Sequence, residues 1–94
     1  MSSKASAVNR QECADDYQGE LMRFGRYRVA VCRDGLQWLY QRARGHRACG
    51  AARWDAIGYC TTRTALLRLH HRFCGSAAPE IARLPEHFQR EAQQ

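Results

Sequence analysis

Three side chains late in the sequence have the types and spacing that could hold a zinc ion. Cys60 ends a predicted strand, and His70 and Cys74 lie four residues apart on a predicted helix, so both could reach one ion. However, the sequence contains no Cys-x-x-Cys pair, and Leu69 and Phe73 mark this side of the helix as core. We therefore predict buried thiols that behave as small hydrophobic groups, with no metal and no cofactor.

The sequence has no arrangement of residues typical of a catalytic centre. A nucleophilic thiol needs a neighbouring base and an acid that orients the base, and no local motif links a Cys with a His and an Asp or Asn. Between residues 23 and 75 the carboxylates are Asp34 and Asp55, and a predicted turn accounts for Asp34. A Gly-rich phosphate loop is also missing. We predict that the chain is not an enzyme.

Arginine dominates the charge of this sequence, which has a formal net charge of +6. Residues 23–75 hold eleven Arg against two Asp, whereas residues 1–22 and 76–94 each hold more acidic than basic residues. A basic surface of this kind attracts phosphate or an acidic protein face, and Arg can contact either through two parallel hydrogen bonds. A GC-rich genome would supply the same Arg and Ala codons, so composition alone leaves both explanations open.

An Asp-Gly pair between two alternating runs predicts a β-hairpin. The Asp34-Gly35 dipeptide can occupy the centre of a type I′ turn, where both residues need φ > 0. This turn would pair Val31 with Trp38 and Val29 with Tyr40, which places these four side chains on one face of the sheet. The other face would carry Arg28, Ala30, Gln37, Leu39 and Gln41.

The predicted fold is α+β: a three-stranded antiparallel sheet packed on one main helix (β-β-β-α), with short terminal helices. The main helix is predicted at Arg63–Cys74, with Thr61 or Thr62 as its N-cap and Gly75 after its end. The strands are predicted at about 26–32, 36–42 and 53–60, and a flexible connection at 43–52.

The chain is predicted to divide into three parts. Residues 1–22 would be a loose acidic leader with a short helix ending at Met22, and residues 23–75 would be the β-β-β-α core. Residues 76–94 would hold a short helix from Pro79 to Leu84 and a fraying tail. Five cysteines, an odd number, and no apolar stretch in Met1–Asn9 predict reduced thiols in the cytoplasm, and no apolar run is long enough for a membrane span.

The candidate binding residues are Arg28 on the sheet face away from the helix, five arginines at one end of the predicted sheet, and two residues on the exposed side of the helix. They would contact phosphates or an acidic protein surface, and the alternative is a solvated polar surface. The set comprises Arg26, Arg28, Arg42, Arg44, Arg47, Arg53, Arg68 and His71.

The segment Tyr27–Gln41 (YRVAVCRDGLQWLYQ), then Trp54 and the run Cys60–Leu66 (CTTRTAL), resembles a group of small proteins from bacterial prophages. The resemblance covers about residues 24–84 and includes the late Leu-Pro-Glu. It implies no catalytic residue. The strand-strand-strand-helix order also resembles, more loosely, the sheet-reading DNA-binding domains of phage integrases, although this chain shows no recombinase domain.

A prophage context favours small proteins that dock on larger machinery, as anti-CRISPR inhibitors do. We therefore expect a non-enzymatic interaction protein that inhibits or modulates a host nucleoprotein complex, such as a CRISPR surveillance complex. Its partner would be a host protein or nucleoprotein complex and not a membrane. The alternative is a small basic DNA- or RNA-binding module that uses the same arginines on phosphates. The sequence leaves the oligomeric state open.

Overall fold

The structure is a computed structural model that describes residues 11–46, 52–75 and 78–89. Four strands form one antiparallel sheet in the order β1-β2-β3-β4, and helix α1 packs on one face of it. The α+β class is confirmed, with four strands where the sequence predicted three. The elements are β1 (Glu20–Phe24), β2 (Tyr27–Val31), β3 (Trp38–His46), β4 (Ala52–Cys60), α1 (Arg63–Cys74) and α2 (Pro79–Ala82).

Strand β1 occupies residues for which the sequence predicted a helix ending at Met22. Met22 pairs with Val29 and Phe24 with Tyr27, so the segment forms the edge strand of the sheet. Its side chains alternate between partly buried and exposed, which is the period of a strand. The helix prediction is wrong because pairing with β2 decides the conformation of a segment that is too short to specify one by itself.

The predicted register of the central hairpin is confirmed. Val31 pairs with Trp38 and Val29 pairs with Tyr40. The alternation of the two strands therefore places these side chains toward α1, where Val29, Trp38 and Tyr40 belong to the main core.

The turn of this hairpin differs from the predicted type I′ turn. The Gly35 N–H donates to the Cys32 carbonyl at 2.9 Å, and the Cys32 N–H donates to the Gln37 carbonyl at 2.9 Å. Gly35 has φ +69°, but no non-glycine residue in the described part of the chain has positive φ, so Asp34 is not left-handed. The connection is therefore a four-residue loop, 33–36, with one left-handed position at Gly35.

Helix α1 begins and ends where the sequence predicted. The Thr62 hydroxyl accepts a hydrogen bond from the Ala65 N–H at 3.2 Å, and Gly75 ends the helix in the left-handed conformation. Leu66 and His70 are its buried residues, whereas Phe73, predicted to be core, is exposed at the end of the helix.

Strands β3 and β4 continue into the segment that was predicted to be a flexible connection. β3 extends to His46 and β4 begins at Ala52, while residues 47–51 lie outside the described part of the chain. Ala43, Ala52 and Trp54 form a small second cluster at this end of the sheet. The small side chains of this segment, from which the sequence predicted a loop, instead pack against the Trp54 indole.

Residues 11–19, which we call the N-terminal strap, cover the sheet face opposite α1. The strap is bound to β4, where the Trp54 N–H donates to the Cys13 carbonyl at 3.0 Å, and to β2, where the Val31 N–H donates to the Gly19 carbonyl at 2.8 Å. Tyr17 is buried, and its hydroxyl donates to the Val31 carbonyl at 2.6 Å. This part of the predicted loose leader is therefore packed against the sheet.

The C-terminal segment completes the main core. Ile81 of α2 is fully buried, and α2 is shorter than the predicted helix at Pro79–Leu84. The Phe88 N–H donates to the Thr61 carbonyl at 2.8 Å, and the Phe88 ring contacts the Trp38 ring edge-on at 5.3 Å between centroids.

We predict that Gly35→Val destabilises the protein by about 1 kcal/mol or more, because a β-branched residue resists the positive φ of this position. Gly35→Asn should cost clearly less, since Asn tolerates the left-handed region. Urea unfolding of the two variants tests this. Equal stabilities would show that the backbone conformation at Gly35 does not limit the hairpin.

Candidate binding surface at the arginine end of the sheet

Four of the predicted binding arginines lie together at the end of the sheet opposite the 33–36 loop, and all four are exposed. Arg26 is in the turn between β1 and β2, while the others lie on the last part of β3 and the first part of β4. We call this set the arginine rim: Arg26, Arg42, Arg44 and Arg53. Arg47 falls outside the described residues.

One carboxylate, Asp55, lies among three of these arginines. Arg44 contacts it with two hydrogen bonds, from Nε to Oδ2 at 2.7 Å and from Nη2 to Oδ1 at 3.1 Å. These hydrogen bonds are the main cause that lowers the pKa of Asp55, and the charges of Arg53 and Arg42 lower it further. One carboxylate thus offsets the charge of three nearby guanidinium groups only in part, which leaves the rim with a net positive charge.

The remaining rim arginines have few partners. Arg26 donates from Nη2 to the Ala43 carbonyl at 3.3 Å and has no carboxylate partner within the described part of the chain. Among those same residues, the side chains of Arg42 and Arg53 form no hydrogen bond. Because the Arg44–Asp55 pair is solvent-exposed, it adds little to stability. The rim is therefore available for intermolecular contacts and is not needed to hold the fold together.

Arg68 and His71 are exposed on α1, as the sequence predicted. The C-terminal end of α1 lies near the rim, because the Tyr27 hydroxyl donates to the Phe73 carbonyl and Tyr27 pairs with Arg42. A partner that contacts the rim and these two residues would have to extend from the end of the sheet onto the helix.

Arg28 lies on the predicted sheet face but is fully buried beneath the strap, so it cannot belong to an exposed binding surface. Each of its five N–H donors has an acceptor. Nε donates to Gln41 Oε1 at 2.6 Å, and Nη1 donates to Glu20 Oε1 at 3.0 Å and to the Asp15 carbonyl at 3.1 Å. Nη2 donates to the Ala14 carbonyl at 2.8 Å and to the Glu12 carbonyl at 2.9 Å. Burial lowers its pKa, and the Glu20 carboxylate opposes this effect. Arg28 anchors the strap.

Two residues that the sequence analysis did not select shape the surface beside the rim. The Trp54 side chain donates from Nε1 to Asp15 Oδ1 at 2.9 Å, and the guanidinium carbons of Arg28 and Arg23 lie 4.3 and 4.9 Å from the centre of its ring. Arg23 also forms ion pairs with Glu20 at 2.7 Å and Asp15 at 3.2 Å. The acidic residues in the first part of the sequence could have indicated these contacts, because a buried arginine requires acidic partners.

A depression of about 390 Å³ lies beside the rim, and we call it the rim groove. It is lined by Arg23, Arg26, Ala43, Ala52, Trp54 and two glycines. Its floor is the small cluster of Ala43, Ala52 and Trp54, so the groove combines an apolar base with guanidinium groups.

Two of the three residues considered for zinc, Cys60 and His70, are buried in the structure. His70 is buried, and its Nδ1 lies 2.7 Å from the Tyr40 hydroxyl. Burial raises the pKa of the Cys60 thiol, which disfavours the thiolate that zinc requires. No group of three or more His, Cys, Asp or Glu residues within the described ranges could hold a metal ion.

We predict that Arg28→Met destabilises the protein by roughly 3–5 kcal/mol, because it removes five hydrogen bonds, leaves Gln41 Oε1 without a donor, and takes one guanidinium partner from Glu20. Arg28→Lys should restore only part of this loss, since an ammonium group cannot replace the planar five-donor fork. Urea unfolding measures both effects, and exposed Arg33→Met is the matched control. An Arg28→Met variant as stable as that control would contradict the anchoring role.

The buried His70 predicts a pH dependence of stability. Burial lowers its pKa below the ordinary 6.5, although Glu80 opposes this. Burial also raises the pKa of Tyr40, so the hydroxyl that shares a hydrogen bond with Nδ1 stays uncharged. Below pH 6.5 the unfolded chain takes up the proton more readily than the folded one. The free energy of unfolding should therefore decrease as the pH falls from 6.5 toward the folded-state pKa.

Urea unfolding from about pH 7 to about pH 5 measures this slope. His70→Leu should remove most of it, whereas exposed His71→Leu should retain it. A slope that persists in His70→Leu would assign the proton uptake to another group.

None of the helices in the described ranges is long and apolar enough to cross a membrane. No family model matches the chain, and neither a curated protein nor a solved structure matches it.

Proposed function

We propose that this chain is a non-enzymatic protein of phage or prophage origin that inhibits or modulates a host nucleoprotein complex in the cytoplasm. A CRISPR surveillance complex is the target we propose as an example. The protein would dock through the arginine rim on an acidic part of the complex, and act by occupying that surface.

The observation that carries the proposal is the charge balance of the rim. Four exposed arginines lie at one end of the sheet, and Asp55 is the carboxylate that three of them share. Arg is enriched among the residues that dominate binding at protein interfaces, because its fork can form paired hydrogen bonds with a carboxylate. The exposed rim therefore has a net positive charge that complements an acidic protein surface.

A rigid support also favours docking over a flexible basic tail. The rim arginines are placed by strand pairing at the end of a four-stranded sheet whose two faces are covered by α1 and by the strap. The backbone that carries these side chains is already ordered and loses little conformational freedom on binding, which increases the affinity that a small interface can reach.

Nucleic-acid binding by the same arginines is the competing function, and salt dependence separates the two. A complex that depends on several phosphate contacts loses about 10³-fold or more in affinity between roughly 50 and 200 mM salt. Gel shifts with DNA and RNA at these two concentrations provide the measurement. A shift at low salt that is lost at the higher concentration would support the nucleic-acid module and contradict docking on protein.

We predict that affinity capture from host lysate at the higher salt concentration, followed by mass spectrometry, recovers a nucleoprotein complex, including after nuclease treatment. The rim variant Arg42→Gln with Arg53→Gln should recover several-fold less, because it removes two guanidinium groups that have no hydrogen-bond partner among the described residues. Arg33→Gln with Arg83→Gln removes the same charge from exposed positions away from the rim and should recover the normal amount. Equal losses in the two double variants would show that total charge, and not the rim, determines binding.

A further inference from the structure

The rim groove differs from the rest of the basic surface because an apolar floor lies beside a guanidinium group with unused donors. Ala43, Ala52 and Trp54 form the floor and are nearly buried, at 9%, 8% and 2% exposure. Arg26, which lines the groove, makes one hydrogen bond in the described part of the chain, to the Ala43 carbonyl. An apolar base next to a guanidinium group with free donors suits a ligand that carries an apolar group beside an anionic group.

The other arginine of the groove already has its partners. Arg23 contacts Glu20 through Nε and Nη2, and its Nη2 also lies 3.2 Å from Asp15 Oδ1. Arg26 is therefore the guanidinium group in the groove that can receive a new carboxylate, and one fork matches one carboxylate through two parallel hydrogen bonds. The floor is also held rigid, since Trp54 bonds Asp15 and lies beside two guanidinium groups.

The same geometry disfavours nucleic acid as the occupant of this groove. Single-stranded nucleic acid stacks its bases on open aromatic faces, but Trp54 is 2% exposed and guanidinium groups lie against its ring. A duplex backbone engages a row of cations, whereas one of the two guanidinium groups in the groove is neutralised by Glu20 and Asp15.

We propose that the rim groove binds a short acidic segment of the partner protein. An apolar side chain of that segment would enter the groove beside Trp54, and the neighbouring Asp or Glu would bond Arg26. This inference rests on the proposed docking function and adds the chemistry of the segment that is recognised. The other rim arginines would contact further acidic residues of the same partner.

The test uses a probe of the proposed chemistry on the full chain. A short capped peptide of alternating Leu and Glu is titrated into the isotope-labelled protein, and the Trp54 and Trp38 indole N–H signals are followed by NMR. Trp38 is the internal control, because it lies at the opposite end of the sheet and is 3% exposed. A Trp38→Phe variant assigns the two signals.

The acidic peptide should shift the Trp54 signal and leave the Trp38 signal in place. Its counterpart with Gln for Glu should bind at least about fivefold more weakly, and so should Arg26→Gln with the acidic peptide. Ala52→Leu, which fills the groove without changing the charge, should weaken binding as strongly. Arg33→Gln, at the other end of the sheet, should bind normally.

Three outcomes would overturn the inference: an unchanged Trp54 signal at saturating peptide, normal binding by Arg26→Gln, or a Trp54 shift produced by duplex DNA and not by the peptide. If Ala52→Leu does not fold, the comparison between Arg26→Gln and Arg33→Gln decides alone. Failure of the groove leaves docking by the rest of the rim intact if lysate capture still depends on Arg42 and Arg53. Failure of that capture would contradict the docking function itself.

Discussion

The buried guanidinium group of Arg28 is the constraint on which the arrangement of this protein depends. A charge placed between a sheet and an overlying segment is costly unless every donor is satisfied. Here five donors meet five acceptors from β1, β3 and the strap, and the Glu20 carboxylate supplies the opposite charge. The position of the strap, the side-chain amide of Gln41 and the ion pairs of β1 are consequences of this requirement.

Arg28 also determines which arginines remain for function. The strap that satisfies it covers the sheet face opposite α1, while α1 covers the other face, and the rim arginines at one end of the sheet remain exposed. Asp15 and Glu20 are engaged by Arg23, Arg28 and Trp54 and are not available to neutralise the rim. The acidic residues near the start of the chain thus serve the interior, and the basic excess remains at the surface where a partner can reach it.

Sequence reasoning located the parts of the fold that local signals determine. The pairing of Val31 with Trp38 followed from alternation about Asp34-Gly35, and the limits of α1 followed from Thr62 and Gly75. Alternation fixes the register but not the type of turn, which is why the turn prediction was wrong while the pairing was right. Strand β1, the strap and the burial of Arg28 depend on contacts between distant residues and have no local pattern. For the site, the grouping of Arg26, Arg42, Arg44 and Arg53 could be predicted, whereas the groove beside Trp54 could not.

Main-chain carbonyls accept most of the hydrogen bonds from Arg28, and this determines which positions of the sequence can vary. Three of its five acceptors are main-chain carbonyls, at Glu12, Ala14 and Asp15. Every amino acid carries such a carbonyl, so most side chains along the strap can change without removing an acceptor. Glu20 and Gln41 act through their side chains, and the glycine at position 19 leaves room for the Tyr17 ring, 2.6 Å from where a Cβ would lie. Related sequences can therefore diverge along the strap while they retain Arg28 and a few fixed positions around it.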